Sequence, residues 1–333
     1  METPLTRMLG IGAPVIQAPI GPWPELVAAV SAAGGLGILQ CSWLDEASLR
    51  DAIQRTRGLT DRPFGINLVS DESRARLLGA ALDEGVPVIT LSGTDPAPHV
   101  DRIHDARAII TYCVGTAEEA RRAADGGVDA VVAQGWEAGG HVHGRVATLA
   151  LIPAVKSAVG ALPVIAAGGV ADGRGLAAVM ALGADAAWMG TRFIASHEAM
   201  FTGEYKRAVL AADEARPVRT TLFDVGWPDS PHRVLPNSTY REWEAAGRPA
   251  RGLRPGEGEI IASAPGGEAF PRYGIAEPTV DMTGDLEALA QYAGQSSGLV
   301  NTVRPAGEIV HDTVAAAEEI LRRLSPDRAA ALT

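Results

Sequence analysis

The sequence has few cysteines, no long basic run and no long hydrophobic run, and each absence excludes a class of protein. Cys41 and Cys113 are the only cysteines among 333 residues, so there is no disulfide framework and no closely spaced thiol pair for a metal. No apolar run approaches the length of a membrane span, so no membrane partner is predicted. A net charge of −11 without basic runs excludes an electrostatic footprint for nucleic acid.

The start of the sequence also lacks the charged and apolar segments of a secretory signal. Together with the scarcity of cysteine, this predicts a cytoplasmic protein in a reducing compartment. Hydrophobic residues make up 47% of the chain, which is enough for a sizeable core. The length suits one large domain or two ordinary ones, and length alone does not choose between them.

Short apolar runs alternate with helical patterns from about residue 14 to residue 195. The runs are apolar throughout, which is typical of parallel strands that are covered on both faces. The predicted strands are residues 15–18, 37–40, 64–68, 88–91, 108–113, 130–133, 164–167 and 186–189. The predicted helices between them are residues 25–33, 46–57, 74–84, 117–124, 149–159 and 174–182. This alternation favours a closed (β/α)8 TIM barrel over an open doubly wound sheet.

Residues 197 to about 280 are rich in proline and lose this periodicity, apart from helical patterns at residues 205–215 and 239–246. We expect an extended, partly helical excursion packed on the barrel, as an ordered lid would be. Residues 286–293 and 306–324 are predicted as two terminal helices, and residues 327–333 as a ragged tail. The predicted division is a barrel at 1–196, an insertion at 197–300 and a C-terminal helix at 301–333. Exposed tryptophans in the excursion, Trp227 and Trp243, would suit a homodimer contact.

Glycines follow the last two predicted barrel strands. Ala167, Gly168 and Gly169 end the seventh strand, and Gly190 and Thr191 follow the eighth. Glycine lets backbone N–H groups approach a phosphate closely, and the loops after strands seven and eight bind phosphate in many barrels. We therefore predict a phosphate site here, although turns alone also require glycine.

Small residues and side-chain amides mark other strand ends. Ala18, Pro19 and Ile20 close the first predicted strand, Asn67 the third and Gln134 the sixth. A planar cofactor lying across the barrel mouth requires small residues beneath it and amides at its polar edge. We predict that these five residues bind such a cofactor, although each amide taken singly is equally well explained by loop capping.

The most distinctive stretch is QGWEAGGHVHG, residues 134–144. It places His141 between glycine-rich turns directly after a barrel strand, where active sites of this fold lie, and imidazole titrates near neutral pH. We predict that His141 is a catalytic acid or base and that His143 is a loop neighbour. A zinc site is discounted because no carboxylate or thiol partner is suitably placed, so no metal is expected. Trp136 is expected to pack the loop, and Glu137 to orient it or to pair with a cation.

These segments resemble the nitronate monooxygenase family, formerly called 2-nitropropane dioxygenases, which are FMN-dependent barrels. The resemblance is carried by VIQAPI, AGGL, GINL, QGWEAGGH, the stretch 163–175, MGTRF and YAGQSSG. It implies an FMN phosphate at residues 167–169 and 190–191, with the isoalloxazine near residues 18–20, Asn67 and Gln134. It also implies that His141 takes the α-proton of a nitroalkane or contacts the nitro group of a nitronate. The flavin then passes electrons to dioxygen, and the substrate carbon becomes a carbonyl.

Two positions depart from this pattern. Some relatives carry a lysine at the end of strand five, where this chain has Thr111, Tyr112 and Cys113, and His143 stands where many relatives have another residue. The same loop also resembles flavin-dependent reductases of enoyl thioesters and of quinones, which take hydride from NAD(P)H. No GxGxxG unit is present, but a flavin barrel requires none. A flavin-binding sensor without catalysis is the third alternative, and the intact histidine loop disfavours it.

Overall fold

The computed structural model describes residues 1–70, 75–93 and 95–324, and its centre is a parallel eight-stranded barrel. The barrel strands are β1 (Val15–Gln17), β2 (Ile38–Gln40), β3 (Gly65–Ser70), β4 (Val88–Gly93), β5 (Ile109–Val114), β6 (Ala130–Gln134), β8 (Val164–Ala167) and β9 (Ala186–Met189). The two-residue β7 (Gly140–His141) lies outside it, and the order of neighbours is β1-β9-β8-β6-β5-β4-β3-β2. A parallel bridge between Ile16 and Leu36 closes the ring, so the predicted barrel is confirmed.

Helices cover the outside of the barrel and plug one end of it. They are α1 (Pro4–Leu9), α2 (Pro24–Ala32), α3 (Glu46–Leu59), α4 (Ala75–Asp83), α5 (Ala97–Asp105), α6 (Ala117–Asp125), α7 (Thr148–Val159), α8 (Gly173–Ala181) and the short α9 (Thr191–Ile194). Leu5 and Leu9 of α1 are buried in the same cluster as the inward-facing Ile16, Val132 and Ile165. Helix α1 therefore closes the N-terminal end, and the C-terminal strand ends form the open mouth.

Most predicted elements up to β9 are present, with ends that differ by one or two residues. The prediction for residues 74–84 begins at Arg74, which lies outside the described residues. Asn67 was expected at the end of its strand, but it is the third of six residues in β3 because the ladder with β4 continues to Ser70. Helices α1 and α5 were missed. In α5 only Val100 and Ile103 are buried, too few apolar positions to give a visible helical pattern.

The excursion after β9 is more regular than predicted. It contains α10 (Gly203–Ala211), α11 (Ser238–Ala245) and two antiparallel sheets. One sheet joins β10 (Val218–Thr220) and β11 (His232–Val234) to β7, and the other joins β12 (Ile260–Ser263), β13 (Ala269–Pro271) and β14 (Thr283–Gly284). The prediction of an irregular segment was wrong because strands of two to four residues show no periodicity of their own. The pairing of β11 with β7 packs the excursion on the barrel mouth.

The two terminal helical predictions had different outcomes. A helix over residues 286–293 is wrong: one 3-10 turn at Leu286–Ala288 is followed by extended chain. The carbonyl groups there serve tertiary contacts instead, since Asn237 donates to the oxygen of Leu289 and Thr239 to that of Ala288. The second helix is present as α12 (Ala306–Arg323). Residues 327–333 lie outside the described residues, and in the described part no helix is both long and apolar enough to cross a bilayer.

Candidate active site

The loop that follows β6 is held in shape by its own polar residues. The side-chain amide of Gln134 donates to the carbonyl oxygen of His141 at 3.0 Å. The Glu137 carboxylate accepts hydrogen bonds from the backbone N–H and the hydroxyl of Thr148, both at 2.9 Å. Gln295 donates its backbone N–H to the carbonyl of Glu137. Glu137 therefore orients the loop, and although it makes no close ion pair among the described residues, its charge favours the protonated form of Arg233.

The excursion supplies the other wall of the site. His232 of β11 lies opposite His141 in the antiparallel ladder, and the backbone N–H of Val142 donates to the carbonyl oxygen of Pro231 at 2.8 Å. The ring of Trp227 lies on the ring of His141, with centroids 4.2 Å apart and planes inclined by 30°. The ring of Tyr292 lies beside the same imidazole, with ring centroids 5.5 Å apart. The glycine-rich loop therefore gives His141 its place, and distant segments of the chain give it its surroundings.

His141 and His232 are both enclosed, but they differ in their hydrogen bonds. His232 is fully partnered, since its Nδ1 bonds to the oxygen of Ser230 and its Nε2 accepts from the N–H of Phe223. The Nε2 atom of His141 is buried and has no partner among the described residues. Burial, followed by the neighbouring His232 and His143, lowers the pKa of His141 to about 3. His141 is therefore a neutral imidazole whose Nε2 is left for a ligand.

The glycines after β8 and β9 form a cradle of backbone donors. Gly168 and Gly169 have φ angles of 99° and 77°, a conformation that favours glycine. A Cβ at position 168 would lie 3.1 Å from both the nitrogen of Ala138 and the oxygen of Gly135. The N–H groups of Gly168, Gly169 and Gly190 have no acceptor in the residues that the structure describes. These unpaired N–H groups suit a phosphate.

Thr191 was predicted to bind phosphate, and the structure shows that its side chain also makes a hydrogen bond within the protein. Its hydroxyl oxygen accepts a hydrogen bond from the N–H of Gly294 at 2.9 Å, so it ties the barrel to the segment 292–298. Its contribution to a phosphate site is then limited to the hydroxyl hydrogen and the backbone N–H. The threonine is a link between the cradle and the excursion as well as a member of the cradle.

The residues predicted to lie beneath a planar cofactor come together on one side of the mouth. A Cβ at Gly190 would lie 3.4 Å from the Cβ of Ala18 and 3.8 Å from Cγ2 of Ile20, so the ends of β1 and β9 meet. Pro19 lies between these two residues and is partly exposed. Asn67 lies on β3, which is two strands away from β1 around the ring.

The two predicted amides reach the mouth from different strands and share one property. Asn67 is buried and donates to the oxygen of Thr90 at 3.3 Å, and Gln134 donates to the oxygen of His141. Neither carboxamide oxygen accepts a hydrogen bond from a described residue, so each is available to an N–H of a ligand. With the free N–H groups of the glycines and the small residues at β1, the site fits a planar cofactor that carries a phosphate.

Several neighbours of the site were not identified from the sequence. Trp227 and His232 lie in the segment expected to cover the mouth, and Tyr292 begins the YAGQSSG stretch, but none of them was predicted to contact His141. Trp227 and Trp243 are half-buried against their own chain and not exposed as expected, and the homodimer stays a prediction. At the end of β5, Tyr112 donates to the oxygen of Gly93, and burial raises its pKa to about 12.

The chain is similar to known proteins over most of its length. A family model described as nitronate monooxygenase matches residues 2–77 and 75–316. A (3aS,4S,5R,7aS)-5-hydroxy-7a-methyl-1-oxo-octahydro-1H-indene-4-carboxyl-CoA dehydrogenase of Mycobacterium tuberculosis is 39% identical over 259 residues, which are 76% of this chain and 71% of that protein. A nitronate monooxygenase of Pseudomonas aeruginosa is 32% identical over 374 residues, covering 94% of this chain and 99% of the relative. The structure of FabK from Thermotoga maritima superposes with a TM-score of 0.80 at 31% identity, covering 97% of this chain and 98% of that one.

Proposed function

The chain belongs to the nitronate monooxygenase family, and we propose that it oxidises nitronates or nitroalkanes with dioxygen, with FMN as cofactor and His141 as base. Enzymes of this family are flavin-dependent oxidoreductases, and the chain is an oxidoreductase. The observation that carries the proposal is the buried, unpartnered Nε2 of His141 at the barrel mouth. A base must be neutral before it can take a proton, and burial holds this imidazole in that form.

In this proposal one set of residues binds the cofactor and His141 transfers the proton. Gly168, Gly169, Gly190 and Thr191, with Ala167 at the end of β8, would hold the phosphate of FMN. Ala18, Pro19 and Ile20 would lie beneath the ring system, and the amide oxygens of Asn67 and Gln134 would meet its polar edge. When bound, FMN accepts electrons from the substrate and passes them to dioxygen, and the products are a carbonyl compound and nitrite.

His141 would take the proton from the carbon that bears the nitro group. Trp227 limits the motion of the ring and keeps water from it, while Gln134 and the β7–β11 pairing hold its backbone. The low pKa belongs to the site without substrate. A nitronate beside the ring would raise it, because an opposite charge favours the protonated imidazole. The transferred proton would then be retained while the anion is oxidised.

Substitution of His141 by alanine tests the base. We expect His141→Ala to retain flavin and to lose at least about 100-fold in turnover of neutral nitroethane, the usual contribution of a general base. Turnover of ethylnitronate prepared in advance should fall much less, because that substrate has already lost its proton. The measurement is steady-state oxygen consumption with each substrate. His143→Ala is the matched control, and unchanged nitroethane turnover in His141→Ala would contradict the assignment.

A second candidate function is supported by the mycobacterial relative, whose name gives a carboxyl-CoA substrate. On this alternative the same site would act as a flavin-dependent NAD(P)H reductase of enoyl thioesters or quinones. Hydride addition to an enoyl thioester leaves an anion that must gain a proton at the carbon beside the carbonyl, so His141 would there have to donate a proton instead of taking one. Anaerobic mixing distinguishes the two: rapid bleaching of the flavin by NADH or NADPH would contradict the monooxygenase, whereas bleaching by a nitronate alone would contradict the reductase.

A further inference from the structure

The Nε2 atom of His141 is closed off by the protein itself, although a base must come within hydrogen-bonding distance of the proton that it takes. Three rings lie around this imidazole. The distances between ring centroids are 4.2 Å to Trp227, 5.4 Å to His232 and 5.5 Å to Tyr292. A substrate therefore reaches Nε2 only after part of this wall has moved aside.

Two of the three rings are fixed by hydrogen bonds. His232 uses both of its ring nitrogens and also lies in the ladder with β7. The hydroxyl of Tyr292 donates to the carbonyl oxygen of Ile275 at 3.2 Å, and the carbonyl oxygen of Tyr292 accepts from the hydroxyl of Tyr205. Moving either ring would leave buried polar groups without partners, which is costly.

Trp227 is the member of the wall that lies on an unbonded segment. The backbone N–H and carbonyl groups of residues 226–229 make no hydrogen bond with other described residues. The chain is fixed on both sides of this segment, since Val225 forms a β-bridge with Gly274 and the carbonyl oxygen of Pro231 accepts from the loop after β6. We call residues 226–229 the Trp227 flap.

The two ends of the Trp227 flap have backbone conformations that allow a change of direction. Gly226 has a φ angle of 106°, which glycine adopts readily, and Asp229 has a φ angle of 56°, at which an aspartate is strained. Gly226, Pro228 and Asp229 are exposed, so their movement would displace solvent and no packed side chain. The ring of Trp227 is therefore attached to the molecule through two flexible points.

Trp43 gives the Trp227 flap a surface on the barrel to close against. It lies in the loop between β2 and α3, at the mouth, and its side chain is 46% exposed. The centroids of the Trp43 and Trp227 rings are 5.6 Å apart and the planes are inclined by 60°, an edge-to-face arrangement. One aromatic pair is a modest attraction, strong enough to favour a closed position and weak enough to be broken.

We propose that the Trp227 flap is a gate, which opens to admit the substrate to His141 and closes against Trp43. In the closed position the indole covers the imidazole and excludes both water and substrate. The inference rests on the proposed role of His141 as the base, and it adds a step that precedes the chemistry. Because only molecules with an open gate bind substrate, the apparent affinity is reduced by the fraction of molecules that are open.

The first measurement is fluorine NMR of the flavin-loaded enzyme labelled with fluorotryptophan, with signals assigned by replacing one tryptophan at a time with phenylalanine. We expect the Trp227 signal to exchange between a major closed state and a minor open state. Gly226→Ala should raise the open population about tenfold, because alanine disfavours a φ of 106° and its Cβ would meet the Ile275 side chain at 3.2 Å. Trp43→Ala should raise it about threefold, because it removes one aromatic pair.

The second measurement is the oxidation of ethylnitronate by the same proteins. The value of kcat/KM should rise by the same factors as the open population, whereas kcat should change less, because opening precedes binding. Gly247→Ala is the matched control for Gly226→Ala, since Gly247 has a φ of 83° and no neighbour within 4 Å. It should change neither the Trp227 signal nor kcat/KM.

The two measurements separate failure of the gate from failure of the proposed function. A Trp227 signal without exchange in the wild type and in both variants would overturn the gate. A larger open population without a rise in kcat/KM would overturn it as well, and Trp43→Ala alone decides the question if Gly226→Ala does not fold. A wild-type enzyme that does not oxidise ethylnitronate would refute the monooxygenase function, and the NMR result would then still show whether the flap opens.

Discussion

The two sides of the barrel mouth are built in different ways. At the ends of β8 and β9 the site is made of backbone: Gly168, Gly169 and Gly190 contribute N–H groups, and two of them require positive φ angles. At the end of β6 the site is made of a side chain, His141, whose surroundings come from the excursion. A cradle of backbone N–H groups can therefore be local in sequence, whereas the pKa of a side chain depends on what the rest of the chain places around it.

The largest effect is expected on the backbone side. Gly168→Val should give protein that folds but carries almost no flavin, because a Cβ there meets the loop of Gly135 and Ala138 and the residue must keep a positive φ. The measurement is flavin absorbance per mole of purified protein. Gly247→Val is a control for backbone strain alone, since that glycine has a φ of 83° and no neighbour within 4 Å. Full flavin content in Gly168→Val would remove the cradle assignment.

An intermediate effect on activity is expected from a change beside His141, on the other side of the barrel mouth. Trp227→Ala should admit water to His141 and raise its pKa from about 3 toward the usual 6.5. A base works only when it is unprotonated, so kcat/KM of the variant for nitroethane should fall as the pH drops through about 6. In the wild type, His141 stays unprotonated in this range and should cause no such fall. Between pH 8 and pH 5 the variant should lose at least about tenfold more than the wild type. Trp243→Ala, which removes a tryptophan packed on Tyr240, is the control, and identical profiles would contradict the role given to Trp227.

The smallest effect is expected for the hydrogen bond between Gly294 and Thr191, which joins the glycine cradle to the excursion. Thr191→Val should leave the N–H of Gly294 without its acceptor and lower the free energy of unfolding by about 1–3 kcal/mol. Urea titration of the flavin-free protein measures this, so that any change in cofactor affinity does not enter. Thr191→Ser keeps the hydroxyl and should recover most of the loss. Equal stability of the valine variant and the wild type would mean that the bond does not couple the cradle to the excursion.

The barrel strands could be predicted because parallel strands covered on both faces are apolar throughout, as Val164–Ala167 and Ala186–Met189 are. Helix α5 could not, since most of its positions are polar or charged and only two side chains are buried. The excursion sheets were missed for another reason. Strand β11 has three residues and lies between β10 and β7 in the sheet, although both precede it along the chain and β7 lies within the distant loop of His141. Such short pairings leave no periodic signal.

The sequence by itself determined the barrel, the glycine cradle and the place of His141, because these follow from local patterns: apolar runs, glycines at strand ends and a histidine directly after a strand. Only the tertiary structure decided that Trp227, His232 and Tyr292 enclose that histidine, that Thr191 is tied to Gly294, and that Arg219 and Arg233 lie over Trp136. Burial and charge are properties of everything within a few ångströms of a group. Residues distant in sequence meet at that range only when the chain has folded.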